Sequence, residues 1–127
     1  MSKFKYLESP MTIRGKVYRN RLIAAPTLFA HSVFFLPEIA ENVYRMVENR
    51  AKGGFAAVST GELPVNNEEG TTLFMERAID MDDYDGEDFK KVKEYADRIK
   101  KNGALAYLEF SHEGHVAQTK ATYGPGG

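Results

Sequence analysis

The sequence contains no cysteine. The chain can therefore form no disulfide, no thiolate zinc site and no cysteine-ligated iron–sulfur cluster. That absence fits a reducing compartment. A surplus of one charge sign is missing too: 17 basic and 18 acidic residues leave a net charge of -1. No electrostatic excess points to nucleic acid or an anionic membrane as partner. No apolar run approaches the roughly 20 residues that span a bilayer. The start, Met1-Ser2-Lys3-Phe4-Lys5, lacks the apolar centre of a signal peptide. A cytoplasmic location with no membrane or nucleic-acid partner is the expectation. Neither G-x-G-x-x-G nor the Walker pattern occurs. Gly53-Gly54 lies between a helix and a strand, the wrong end for phosphate, and Gly124-Pro125-Gly126-Gly127 follows no strand and reads as a flexible tail.

What is present describes one small globular domain. The 127 residues are 43% hydrophobic and 28% charged, enough for a modest core. Residues 1–11 read as an irregular arm. Thr12 to Tyr18 alternate about Gly15, which predicts a short β-hairpin with glycine supplying positive φ at the turn. Arg21 to Ala25 form an apolar run closed by Pro26 and predict a buried strand. Pro37 opens a helix whose stripe is Ile39, Val43, Met46 and Val47, and Gly53-Gly54 closes it. Phe55 to Thr60 predict a second buried strand ending at Gly61, followed by a long loop from Glu62 to Gly86. Residues 87–102 predict a second helix with Phe89, Val92, Tyr95, Ala96 and Ile99 on its apolar face, and Ala104 to Leu108 a third strand. Strand–helix–strand–helix–strand with apolar strands implies a parallel sheet. Ligands of such sheets sit beyond the carboxyl ends of the strands. Those ends are Ala25-Pro26-Thr27, Ser59-Thr60-Gly61 and Glu109-Phe110-Ser111-His112.

The last of these runs on to Glu113-Gly114-His115 and places two of the three histidines three residues apart. Three readings stand. Glu109, His112 and His115 could converge on a metal, although that spacing converges best on a helix and a strand precedes it. The histidines could be half-exposed loop residues. Or the strand end could meet an organic ligand through imidazole hydrogen bonds. Ser111 beside His112 makes a weak nucleophile–base pair, because neighbouring strand residues point to opposite faces. Leu28-Phe29 and Phe34-Phe35-Leu36 suit a ligand cover, an interface or ordinary core.

Four segments, in order, resemble the Old Yellow Enzyme family of NADH:flavin oxidoreductases. Arg19-Asn20-Arg21-Leu22-Ile23-Ala24-Ala25-Pro26 resembles its first strand, "K-N-R-hydrophobic-…-A-P". Tyr44 and Arg50-Ala51-Lys52-Gly53-Gly54 resemble "Y…R-A…G-G", and Ala57-Val58-Ser59-Thr60-Gly61 resembles the second strand. Glu109 to His115 resemble the third-strand motif "Q-x-x-H-x-G-R". The flavour is that of the branch near 2,4-dienoyl-CoA reductases and bile-acid-inducible oxidoreductases. The resemblance implies a TIM (β/α)8 barrel with FMN at its carboxyl face. NAD(P)H would reduce the flavin, which would pass hydride to an activated C=C of an enone or enoyl-type substrate. Carried over by position, Ala25, Pro26, Thr27, Thr60 and Glu109 would bind the flavin, and Leu28, His112 and His115 would face the substrate.

The departures are specific. Glu109 stands where the family has a glutamine, and if ionised it only accepts hydrogen bonds. His115 stands where the family has an arginine, without that residue's permanent charge and fork. A barrel takes about 250 residues, so this chain is expected to be an N-terminal portion: a hairpin and three β/α units across residues 1–127. Alone it is expected to be inactive. Catalytic residues and an iron–sulfur region would belong to a longer parent. The alternatives are a non-catalytic piece that self-associates or pairs with a missing half, and a small metal-binding α/β protein.

Overall fold

The computed structural model describes residues 3–27, 36–65, 79 and 81–117. The arm holds one helical turn, α1 (Lys5–Glu8), and leads into β1 (Met11–Ile13) and β2 (Lys16–Tyr18). These pair antiparallel, Met11 opposite Tyr18 and Ile13 opposite Lys16. Both turn residues take positive φ, Arg14 at 46° and Gly15 at 76°. Two such residues give the turn a twist that matches its strands.

A parallel sheet follows, ordered β3 (Ile23–Ala24), β4 (Ala57–Pro64), β5 (Leu105–Ser111), with α2 (Pro37–Lys52) and α3 (Glu87–Lys100) between the strands. The two helices share one face. Val43, Val47 and Ala51 of α2 and Tyr95 and Ile99 of α3 bury against Val58 and Leu63 of β4. The opposite, helix-free face is closed at its amino end by the hairpin. Tyr18 packs there with Ala56, Ala57, Leu105 and Tyr107, and the Tyr18 and Tyr107 hydroxyls hydrogen-bond.

The amino end of the sheet is tied down by the Arg19-Asn20 pair. Arg19 donates to the carbonyls of Asn102 at 2.9 Å and Phe55 at 2.8 Å, and also to Ala51. Asn20 donates to Gly54 O at 2.7 Å and accepts from Leu22 N–H. These bonds add donors to carbonyls at the helix ends and linking turns, of which Ala51 O also accepts the Gly54 N–H. Helix α2 ends as expected, with Gly54 at φ 107° and Phe55 N–H returning to Arg50 O, the geometry of a Schellman stop.

Strand lengths differ from the sequence reading. β3 has only two residues, and Ile23 remains 46% exposed, because it lies at a sheet edge with an open face rather than buried from 21 to 25. β4 does not end at Gly61. It continues through Glu62 and Leu63 to Pro64, which pairs with Ser111 as its last residue. β5 likewise runs on to Ser111. Residues 66–78 of the long loop read after Glu62 lie outside the described residues.

Candidate functional site at the carboxyl ends of the strands

The helix-free face has a different character at its carboxyl end. Down to Ser59 of β4, facing Tyr107 of β5, the register is regular; the next pair is Glu62 with Glu109. β4 thus advances three residues while β5 advances two. That one-residue bulge inverts the alternation of everything beyond it. Without it Glu62 would point among the helices; with it, Glu62 joins Glu109 on the open face.

A cavity of about 270 Å³ lies there, lined by Pro26, Thr27, Gly61, Glu62 and Glu109. Each lining segment reaches it for a local reason. Pro26 stops β3, so the chain turns and presents Thr27, whose hydroxyl accepts a hydrogen bond from Arg50 of α2 at 3.3 Å. Thr60 is fully buried behind the wall, where its Oγ1 accepts the Glu109 N–H at 2.9 Å. That bond fixes the backbone of β5 at the position from which Glu109 projects.

Two polar atoms at this end have no hydrogen-bond partner among the described residues: Glu109 Oε2 and Ser111 Oγ, both buried. Buried polar atoms are nearly always satisfied, so an orphaned acceptor at a cavity wall marks a place for a donor. Burial raises the pKa of Glu62, and Glu113 and Glu109 add to the rise.

Of the residues singled out in the sequence, Pro26, Thr27 and Glu109 meet at the cavity. Thr60 supports it from behind, and Ala25 is exposed beside it without lining it. His112 and His115 are exposed and off the wall. His112 Nδ1 accepts the Gly114 N–H at 3.0 Å, which places the ring proton on Nε2 in the neutral form. Leu28 lies outside the described residues. Among the described residues no group of three His, Asp or Glu side chains stands close enough to hold a metal, and no helix is long and apolar enough to cross a membrane. Sequence reading placed Gly61 at a ligand-facing strand end without giving it a role, and missed Glu62, which it put in the following loop. The usable signal was Leu63, an apolar residue that continues the strand past Glu62.

No family model matches the sequence, and no curated protein does. Solved structures do match. Old Yellow Enzyme from a Pichia species superposes with a TM-score of 0.68 at 18% identity, over 88% of this chain and 28% of its own. Histamine dehydrogenase from a Rhizobium species gives 0.70 at 20% identity, over 92% of this chain and 16% of that one. A 2-naphthoyl-CoA reductase complexed with 2-naphthoyl-CoA gives 0.69 at 21% identity, over 91% and 17%. At these identities the likeness shows the fold: a mixed α/β arrangement shared with part of larger oxidoreductases. The chain spans less than a third of each of these structures.

Proposed function

We propose that this chain is the N-terminal, flavin-seating portion of an FMN-dependent NAD(P)H oxidoreductase of Old Yellow Enzyme type. The hairpin and the three parallel strands with their two helices are the beginning of a TIM barrel, and the cavity at the carboxyl ends of the strands takes the isoalloxazine ring. The observation that carries this reading is the buried Oε2 of Glu109 at the wall of that cavity, which has no partner among the described residues. The pyrimidine part of the ring offers an N–H for it, so the residues fit the group. Pro26 and Gly61 give a low wall that a planar ring can approach, and Thr27 adds a hydroxyl oriented by Arg50.

When bound, FMN supplies hydride transfer between NAD(P)H and an activated alkene. The chain's own share is to bind one edge of the ring, hold its plane against the strand ends and exclude water from that edge. Substrate contacts by His112, His115 and Leu28 belong to the same proposal. Titrating the purified chain with FMN, followed by flavin fluorescence, tests the seat; an NADH-oxidation assay tests turnover. Binding without turnover is the expected pair of results. An unchanged flavin signal at saturating protein removes the reading.

A second reading rests on the sheet's uncovered apolar side chains. Ile23, Val65 and Phe110 are 46%, 50% and 53% exposed. Such a surface suits pairing with another copy or with a complementary barrel segment. Mass in solution separates the cases: a monomer across the accessible concentration range removes self-association.

A further inference from the structure

Glu62 and Glu109 face each other across β4 and β5 only because the bulge turns Glu62 onto the open face. Like charges directly opposite across strands destabilise a sheet, and bulges are a common means of re-aiming a side chain beside a working site. Both residues line the cavity, and one Glu109 oxygen is buried without a partner among the described residues. Among the described residues, no basic side chain lines the wall. Two adjacent carboxyl groups in such surroundings are relieved when they share a proton.

We propose that Glu62 and Glu109 form a carboxyl pair that holds one proton between them and recognises a ligand edge carrying a carbonyl next to an N–H, as in an imide or lactam. The protonated carboxyl donates to the carbonyl, and the carboxylate accepts from the N–H. An anionic edge meets only repulsion. The pyrimidine edge of an isoalloxazine has the required pattern, so the inference rests on the flavin reading and deepens it. Glu62 is the new member, since the family resemblance assigns it nothing. Among the described residues, the charged groups bearing on Glu62 are Glu113, beyond β5, and Glu109 itself, and both favour keeping the proton. From the β3 side, the Arg50 guanidinium engages Thr27 rather than the pair.

The test uses the purified chain with lumiflavin, which has the ring without the phosphate, and with uracil, which has the imide edge alone. Binding is read by flavin fluorescence for the first and by NMR line shape for the second. Carbon-13 shifts of the glutamate carboxyls count the proton. The wild-type chain should bind lumiflavin less well as pH rises, by roughly tenfold per unit once the shared proton is lost. Glu62→Gln keeps a donor and should bind with little pH dependence, and its raised carboxyl titration should vanish. Glu62→Leu should weaken binding about tenfold at low pH, the loss expected for one hydrogen bond. Lumiflavin binding that is flat with pH and indifferent to Glu62→Leu overturns the pair and leaves the flavin seat standing. Uracil binding with a raised titration but no lumiflavin binding removes the flavin reading and keeps the pair. Binding of neither overturns the pair.

Discussion

The two ends of the parallel sheet differ in how their polar groups are satisfied. At the amino end, Arg19 and Asn20 donate to four carbonyls at the helix ends and linking turns, and Tyr18 closes the face with a hydroxyl paired to Tyr107. At the carboxyl end, Glu62 is set beside Glu109, and Glu109 Oε2 and Ser111 Oγ are buried without partners among the described residues. The first end is saturated and the second is left wanting. Domains that bind ligands at strand ends divide labour in this way: one face carries stability, the other accepts a local cost for function.

That contrast predicts opposite signs for substitutions at the two ends. The largest loss should come from the helix layer that converges on the amino end. Ile99 is fully buried in the core, and Ile99→Ala should cost about 2–5 kcal/mol in urea unfolding. Arg19→Ala should cost about 1–3 kcal/mol, because its three carbonyl acceptors lose a charged donor. A control lies between the ends. The Tyr95 hydroxyl is buried without a partner among the described residues, and burial raises its pKa. Tyr95→Phe should therefore be neutral or stabilise by up to about 1 kcal/mol. The smallest effect belongs to the carboxyl end: above the pH at which the shared proton is lost, Glu62→Gln should stabilise by about 0.2–1 kcal/mol by removing a like-charge pair. A destabilising Glu62→Gln would break the contrast.

Acid and base should sharpen it. The folded-state pKa of Glu62 is raised, so the folded chain binds more protons than the unfolded one over that range. Stability should fall as pH climbs from about 4.3, the ordinary glutamate value, through the raised one. Glu62→Gln should remove that slope. Glu48 behaves in the opposite sense: hydrogen bonds from Lys52 and Lys101 hold it down to about 2. Its contribution is present above the ordinary carboxylate range and is lost as pH falls toward about 2. Both slopes are readable in thermal unfolding against pH.

Much of this architecture is written locally. Pro37 and Gly53-Gly54 bracket α2, and its stripe points inward because Val43 and Val47 recur at helical spacing. The hairpin follows from alternation about a turn with two positive-φ residues. The convergence of Pro26, Thr27 and Glu109 follows from parallel strands ending on one side. Glu62 was hidden for a physical reason: a bulge shifts side-chain phase without any required residue type, and Pro64 reads as a loop signal although it is the last strand residue. Arg19 and Asn20 sit in the family-like motif, yet their contacts are with backbone far from the cavity. A motif shared for anchoring reasons looks, in one sequence, like a motif shared for chemistry.

The measurement that bears most directly on the central claim is a backbone-amide NMR map of the chain as FMN is added. Shifts concentrated at residues 27, 60–62 and 109–113, with the hairpin and Arg19 unmoved, are the result this account predicts. Shifts confined to the hairpin or the helices, or a spectrum that FMN leaves untouched, would contradict it.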